Sequence, residues 1–243
     1  MSSPGATSWC SRRDLEPGGG PQPVVFHVKH GAPNPSETPP APTSARGVFS
    51  DALPTAEAFA GLLANEGLVR GLIGPREVPR LWERHLLNCA LVTDLVPPRS
   101  TVCDVGSGAG LPGLVMAIRR PDLAVTLVEP LLRRTTFLSE TIDALQLANV
   151  EVVRARAEAL HRKRTFDVVT SRAVAPMARL SAWSLPLVRT GGAFLAMKGS
   201  SVQAELDLAA SAISAGRGKL DEVIELGVDL LDPPVRVVRI VKE

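Results

Sequence analysis

Asp104-Val105-Gly106-Ser107-Gly108-Ala109-Gly110 sets an acid two residues ahead of three glycines that alternate with small residues. Glycines at that spacing let the backbone take positive φ and let a ligand approach the chain closely. The amphipathic segment that follows from Leu111 would offer unpaired N–H groups and a positive dipole end to a polar ligand. A second acid, Glu129, ends the next apolar run, Ala124 to Val128. There a carboxylate can accept hydrogen bonds from ribose hydroxyls. Beside Pro130 it could equally be a surface acid at a helix start, but its spacing from the glycine turn favours the ribose role. A third acid, Glu158, follows Ala157. It could face an adenine, with Ala157 small enough to admit the base, or simply start a helix.

The glycine spacing discriminates among nucleotide-like ligands. A dinucleotide fingerprint needs G-x-G-x-x-G, and Leu111 stands where its third glycine would be. No lysine follows at the position a triphosphate loop requires. The acid followed by G-x-G-x-G instead resembles motif I of the class I S-adenosylmethionine-dependent methyltransferases. Amino-methylating enzymes carry an Asn/Asp-Pro-Pro-aromatic element after the fourth strand, where this chain reads Thr170-Ser171-Arg172-Ala173. Asp232-Pro233-Pro234 looks similar but falls in a late hairpin and reads as a turn. Cytosine C5 methylation needs a cysteine near a later strand, and none of Cys10, Cys89 and Cys103 lies there.

Elements of alternating type must position these residues. Strands are predicted at 101–105, 124–129, 150–154, 166–171 and 192–198, and helices at 111–119, 131–146, 176–189 and 201–215. That alternation predicts a mostly parallel sheet covered on both faces. Lys219 to Gly227 and Val235 to Lys242 read as a hairpin with no helix between, so one C-terminal strand runs antiparallel. Ahead of the sheet, Thr55–Leu63 and Pro75–Val96 predict helices that form an N-terminal cap, the second carrying Val78, Leu81, Trp82, His85, Cys89, Val92 and Val96 at spacings of three and four. His85 on that stripe reads either as a core histidine satisfied by a backbone carbonyl or as a histidine at a pocket mouth beside Arg84 and Asn88. Residues 1–47, rich in Pro, Gly, Ser and Thr, are expected to be a disordered extension, with 48–98 as the cap and 99–243 as the catalytic domain.

Bulk properties exclude several classes. A net charge of +2, from 27 basic and 25 acidic residues, does not mark a nucleic-acid binder, so any such role rests on local patches. No tyrosine is present and aromatics make up 4%, which argues against a base-stacking platform. Three widely spaced cysteines form neither a disulfide framework nor a CxxC metal site. His27 and His30 lack a third ligand, and no metal is expected. No apolar run reaches membrane-spanning length and no secretory signal opens the chain, so a cytoplasmic location is expected.

Arg84-His85-Leu86-Leu87-Asn88, the run Asp104 to Gly113, Ser171-Arg172-Ala173 and Met197-Lys198-Gly199 occur in that order. Together they resemble the rRNA small-subunit methyltransferase G family, also called glucose-inhibited division protein B. The stretch from Pro75-Arg76-Glu77 to Asn88-Cys89-Ala90 is similar to its actinobacterial branch. The resemblance runs from about Leu53 to the C-terminus. The chain departs from the family at Gly71-Leu72-Ile73-Gly74, where an Asn-Leu-Thr segment is common, and in its N-terminal extension.

The resemblance implies a class I methyltransferase (Rossmann-like) fold, S-adenosylmethionine as methyl donor, and N7 methylation of one guanosine in the decoding-centre loop of 16S rRNA. The substrate form would be free RNA, an assembly intermediate or the 30S subunit, and the enzyme a monomer. In the family, loss of this methyl group accompanies low-level streptomycin resistance. Carried over by motif, Asp104, Gly106, Ser107, Gly108, Gly110 and Leu111 would line the cofactor, Glu129 would hold its ribose, and Ala157 and Glu158 would frame its adenine. Arg172 would stand between cofactor and target base. Lys198, with Arg172 and His85, would serve catalysis, and Arg84, Arg133, Arg156 and Lys198 would meet RNA. A non-catalytic RNA-binding protein on the same fold and a small-molecule methyltransferase are the competing readings. Basic residues from Arg154 to Arg164, with Arg179 and Arg189, are expected around the ligand crevice at the strand ends.

Overall fold

A computed structural model describes residues 38–172, 175–200 and 202–243. The expectations for residues 1–37 (Cys10, His27 and His30 among them), for Ala173 and for Ser201 lie outside these residues.

Seven strands form one sheet in the order β3-β2-β1-β4-β5-β7-β6. β1 (Thr101–Val105), β2 (Ala124–Val128), β3 (Val150–Val153), β4 (Phe166–Arg172) and β5 (Val188–Lys198) are parallel. β6 (Gly218–Leu226) and β7 (Val235–Lys242) make the expected hairpin, and β7 inserts antiparallel between β5 and β6. This is the architecture read from the alternation of elements, with a single antiparallel strand.

Strand side chains alternate between two apolar layers, as the pleat requires. Val102, Val125, Leu127, Val168, Leu195 and Val237 face one core, and Cys103, Val105, Val128, Val169, Phe194 and Val238 face the other. The second layer is covered by α6 (Met177–Ser184) and α7 (Val202–Ala215), through Met177, Leu180, Leu206 and Ile213. The first is covered by α4 (Gly113–Arg119) and α5 (Leu132–Leu145) and by the N-terminal helices α1 (Thr43–Phe49), α2 (Leu53–Leu62) and α3 (Leu87–Val92). The cap is therefore no separate domain: Phe59, Leu63, Leu81 and Trp82 belong to the same apolar cluster as Leu114 and Met116. Arg119, at the end of α4, locks it on, donating to the carbonyls of Val48 (2.9 Å) and Ala90 (2.6 Å) and pairing with Asp94 at 2.7 Å.

Several boundaries move for identifiable reasons. The disorder expected up to residue 47 does not hold for residues 43–47, because α1 begins at Thr43. Ala45 and Phe49 are buried, and the Trp82 indole N–H donates to the Pro39 carbonyl at 2.9 Å. Composition flagged 38–47 as disordered, but the Trp82 anchor is remote in sequence. The expected helix 75–96 starts with a short 3₁₀ turn, Val78–Arg80, widens through Leu81–Leu86, and ends in a 3₁₀ turn at Leu95. The helix expected over 176–189 stops at Ser184, because Val188 already pairs with Phe166 and opens β5. The helix expected from Leu111 starts at Gly113, since Leu111 still belongs to the glycine turn.

Candidate active site at the strand ends

The glycine turn leaves β1 and folds back on its neighbour. Gly106, Gly108 and Gly110 have φ of 75°, 57° and 90°, the left-handed region in which glycine carries no Cβ penalty. Gly106 N–H donates to the Val128 carbonyl at 2.8 Å, tying the turn to β2. Gly110 N–H donates to the Ser107 carbonyl at 2.7 Å and the Ser107 hydroxyl to the Asp104 carbonyl at 2.9 Å. The Asp104 carboxylate is wholly buried and accepts the Gly113 N–H at 3.0 Å. Its other oxygen has no partner, and burial pushes the acid up to about 7 against the pull of the Gly113 amide. The amides of Gly106, Ser107, Gly108, Gly110, Leu111 and Gly113 thus all donate within the chain. Most amides of the turn are used within the chain, unlike those of a phosphate cradle, which are left unpaired.

Glu129 sits at the tip of β2, 1% exposed. Its carboxylate accepts Gly108 N–H at 3.1 Å and Leu131 N–H at 3.0 Å, and Arg134 approaches at 3.4 Å. Each carboxylate oxygen has capacity for a further donor, as a ribose hydroxyl would supply. The open Cα face of Gly108, whose nearest neighbour to an added Cβ is the Gly106 carbonyl at 3.8 Å, leaves room beside it. Ala157 is buried and Glu158 exposed in the turn Ala157–Leu160 that follows β3. Glycine turn, Glu129, Ala157 and Arg172 therefore cap the ends of four adjacent parallel strands, β3-β2-β1-β4. Residues of this kind fit an uncharged nucleoside with a small polar tail, and S-adenosylmethionine is such a ligand. Among the described residues, no group of three or more His, Cys, Asp or Glu is placed to hold a metal ion.

Arg172, the last residue of β4, is held by the cap. Its Nη2 lies 2.7 Å from His85 Nδ1 and its Nη1 donates to the Arg84 carbonyl at 3.1 Å. His85 Nε2 lies 2.8 Å from Glu77 Oε2. Burial and the Arg172 charge push His85 down to about 4, with Glu77 pulling the other way. In turn, His85 holds Glu77 below its ordinary value. His85 is thus at a pocket mouth, but its partners are two side chains and not a backbone carbonyl.

A cleft of about 1120 Å³ opens on the far side of Arg172. Arg80, Arg84 and Arg236 rim it, Met197 and Lys198 form part of its floor, and Leu230 to Pro234 wall it from the hairpin. Asp232-Pro233-Pro234 is a turn, as read, and its place beside Arg172 came only with the fold. Lys198 departs from expectation. Its side chain is 6% exposed, pairs with Glu205 at 2.6 Å and donates to the Ala175 carbonyl at 3.1 Å. An amine held there joins β5 to α7.

The basic residues divide between the two ends of the sheet. Arg84, Arg133 and Arg156 are exposed on the side of the strand tips. Arg134, the neighbour of Arg133 on the same helix, is the one that faces Glu129. Arg164 precedes β4 and pairs with Glu151 at 2.9 Å, and Arg189 opens β5 and pairs with Asp167 at 2.6 Å. Asp167 in turn accepts the Thr101 amide at the start of β1, so these two arginines belong to the opposite edge from the crevice. Helix-to-strand loops return the chain to that edge, a fact that a linear charge cluster conceals. Glu205 carries no sequence signal, and the partners of Glu77 and Arg134 emerge only from the fold.

Comparisons with known proteins agree with this geometry. A family model described as rRNA small subunit methyltransferase G matches residues 52–229. The chain belongs to that family. Curated relatives named ribosomal RNA small subunit methyltransferase G include one from Nocardioides sp., 61% identical over 206 residues that cover 84% of this chain and 82% of the relative. Another, from Thermobifida fusca, is 55% identical over 197 residues, covering 81% and 83%. Among solved structures, the mitomycin 7-O-methyltransferase is 14% identical with a TM-score of 0.55, over 81% of this chain and 67% of its own. Fibrillarin of Aeropyrum pernix, solved with natively bound S-adenosyl-L-methionine, is 18% identical with a TM-score of 0.50, over 65% and 75%. Both share the class I methyltransferase fold. Membership of the methyltransferase G family supports S-adenosylmethionine as the methyl donor. No helix among the described residues is long and apolar enough to cross a membrane.

Proposed function

We propose that this methyltransferase transfers a methyl group to N7 of a guanosine in 16S rRNA. Arg172 carries the reading: it stands where the cradle at the ends of β1 and β2 meets the cleft rimmed by Arg80, Arg84 and Arg236. S-adenosylmethionine supplies an electrophilic methyl group on a sulfonium. The glycine turn and Glu129 would hold its nucleoside, with Ala157 and Glu158 beside the base.

Guanine N7 has an in-plane lone pair and no proton, so the nucleophile needs no general base. The site agrees with that requirement. His85 is neutral and hydrogen-bonded on both nitrogens, with no free position to receive a proton. The contribution of the chain is then orientation and a shaped field. Arg172 leaves N7 free by addressing O6, a phosphate or the carboxylate of the methyl donor. Arg84, Arg133 and Arg156 would meet the RNA backbone, whose phosphates make binding salt-dependent. Substrate form (free 16S rRNA, assembly intermediate or 30S subunit), a monomeric state and action in the cytoplasm are parts of the same proposal.

Nucleoside mapping of 16S rRNA from cells with and without the gene tests it. The expected result is loss of one 7-methylguanosine in the decoding-centre loop and its return on incubation with purified protein. An unchanged inventory overturns the reading.

A further inference from the structure

Glu77, His85 and Arg172 come from three separate parts of the chain: the turn before the cap helix, the helix itself and the tip of β4. They form a continuous line, with Glu77 Oε2 to His85 Nε2 at 2.8 Å and His85 Nδ1 to Arg172 Nη2 at 2.7 Å. A guanidinium can only donate, so His85 Nδ1 must accept. The neutral ring then carries its proton on Nε2, and only an acceptor can stand opposite it. Glu77 is that acceptor. The line is self-consistent in one direction only.

The surroundings enforce the same state. Arg84 approaches Glu77 at 3.4 Å and, through its carbonyl, holds the other Arg172 nitrogen. The positive charges of Arg172 and Arg84 both oppose protonation of the ring, and Glu77 alone favours it. A doubly protonated ring would turn Nδ1 into a donor facing Arg172, and the inverted tautomer would do the same.

We propose that Glu77 is a positioning residue: by accepting His85 Nε2–H it fixes the tautomer whose Nδ1 anchors Arg172 at the junction of cradle and cleft. The inference rests on the methyl-transfer reading for its purpose, while the tautomer itself can be observed without any substrate. It gives a role to a residue that lines the cleft on the cap side, and it explains how the N-terminal cap takes part in the site. The arrangement is akin to the carboxylate–histidine pairs that orient metal ligands, with a guanidinium in place of the metal.

Full-length protein labelled with ¹⁵N-histidine tests the tautomer, with the His85 resonances assigned by their loss in His85→Gln. The wild type is expected to show Nε2 protonated and Nδ1 bare at neutral pH. Glu77→Ala is expected to mix the tautomers and to slow methyl transfer to 16S rRNA about tenfold, the scale of one lost hydrogen bond, with S-adenosylmethionine affinity unchanged. Glu77→Gln, whose amide oxygen can accept the same proton, is expected to restore the wild-type spectrum and most of the rate. A wild-type ring protonated on Nδ1, or a Glu77→Ala protein with unchanged His85 resonances, overturns the proposal. So does a Glu77→Ala protein that melts earlier but turns over at the wild-type rate per folded molecule. If the wild type transfers no methyl group to 16S rRNA, the functional reading fails, and the spectra alone still decide whether Glu77 sets the tautomer.

Discussion

The carboxylate of Asp104 and the backbone amide of Gly113 are 3.0 Å apart and hydrogen-bonded in the buried centre of the glycine turn. The acid that opens the turn therefore closes it, by fixing the first residue of α4. A Cβ at Gly113 would run into Leu127 and lie 2.8 Å from Asp104 Oδ2. Gly113→Ala is expected to destabilise the fold by about 3 kcal/mol, the cost of overpacking a filled interior, and to weaken S-adenosylmethionine binding. Urea unfolding and titration calorimetry measure the two effects.

The same acid and His85 give opposite pH signatures. Asp104 is pushed up to about 7 in the folded chain from an ordinary 3.8, so its contribution to stability is present below 3.8 and lost as pH rises towards 7. His85 is pushed down to about 4 from 6.5, so its contribution is present above 6.5 and lost as pH falls towards 4. Between pH 4.5 and 6.5 (about the window the two share) the slopes oppose. Asp104→Asn is expected to make stability rise more steeply with pH than in the wild type, and His85→Gln to make it rise less. Chemical denaturation at a series of pH values would refute this if both variants ran parallel to the wild type.

Arg119 ties the cap to the sheet through two carbonyls and Asp94. Arg119→Met keeps much of the stem but strips three polar partners. A loss of about 2 kcal/mol is expected, from two part-buried carbonyls left without their charged donor. Limited proteolysis should then cut first within α1 and α2.

Lys198 and Arg156 should separate in a salt titration of RNA binding. Lys198 is held by Glu205 inside the protein, whereas Arg156 is exposed near the strand tips. Arg156→Ala is expected to reduce the slope of log affinity against log salt by about 1. Lys198→Met should leave that slope unchanged and lower stability by about 2 kcal/mol, because Glu205 loses its buried partner. A reduced slope for Lys198→Met would return it to the RNA contacts.

Much of the architecture was legible because it rests on local pattern. Apolar runs of four to seven residues alternating with amphipathic stretches predicted a parallel sheet, and the missing helix between Lys219 and Val235 predicted the antiparallel hairpin. G-x-G-x-G after Asp104 marked a tight turn at the end of β1, since glycine adopts the φ values found at Gly106, Gly108 and Gly110 without strain. Family-specific runs such as Leu111-Pro112-Gly113 carried the reading to an rRNA methyltransferase.

Other features had no local trace. Glu77 and Arg172 lie 95 positions apart in number and are joined only through His85. Lys198 looked like a free cation until α7 brought Glu205 against it. Arg164 and Arg189 looked like neighbours of the crevice until the strands carried them to the opposite edge. Residue type and spacing decide which elements form and where the glycine turn falls, because those depend on backbone conformation and on periodic burial within a few residues. Which charges are paired, which tautomer His85 holds and which arginines face outward depend on contacts between distant segments, and only the packed fold brings those segments together.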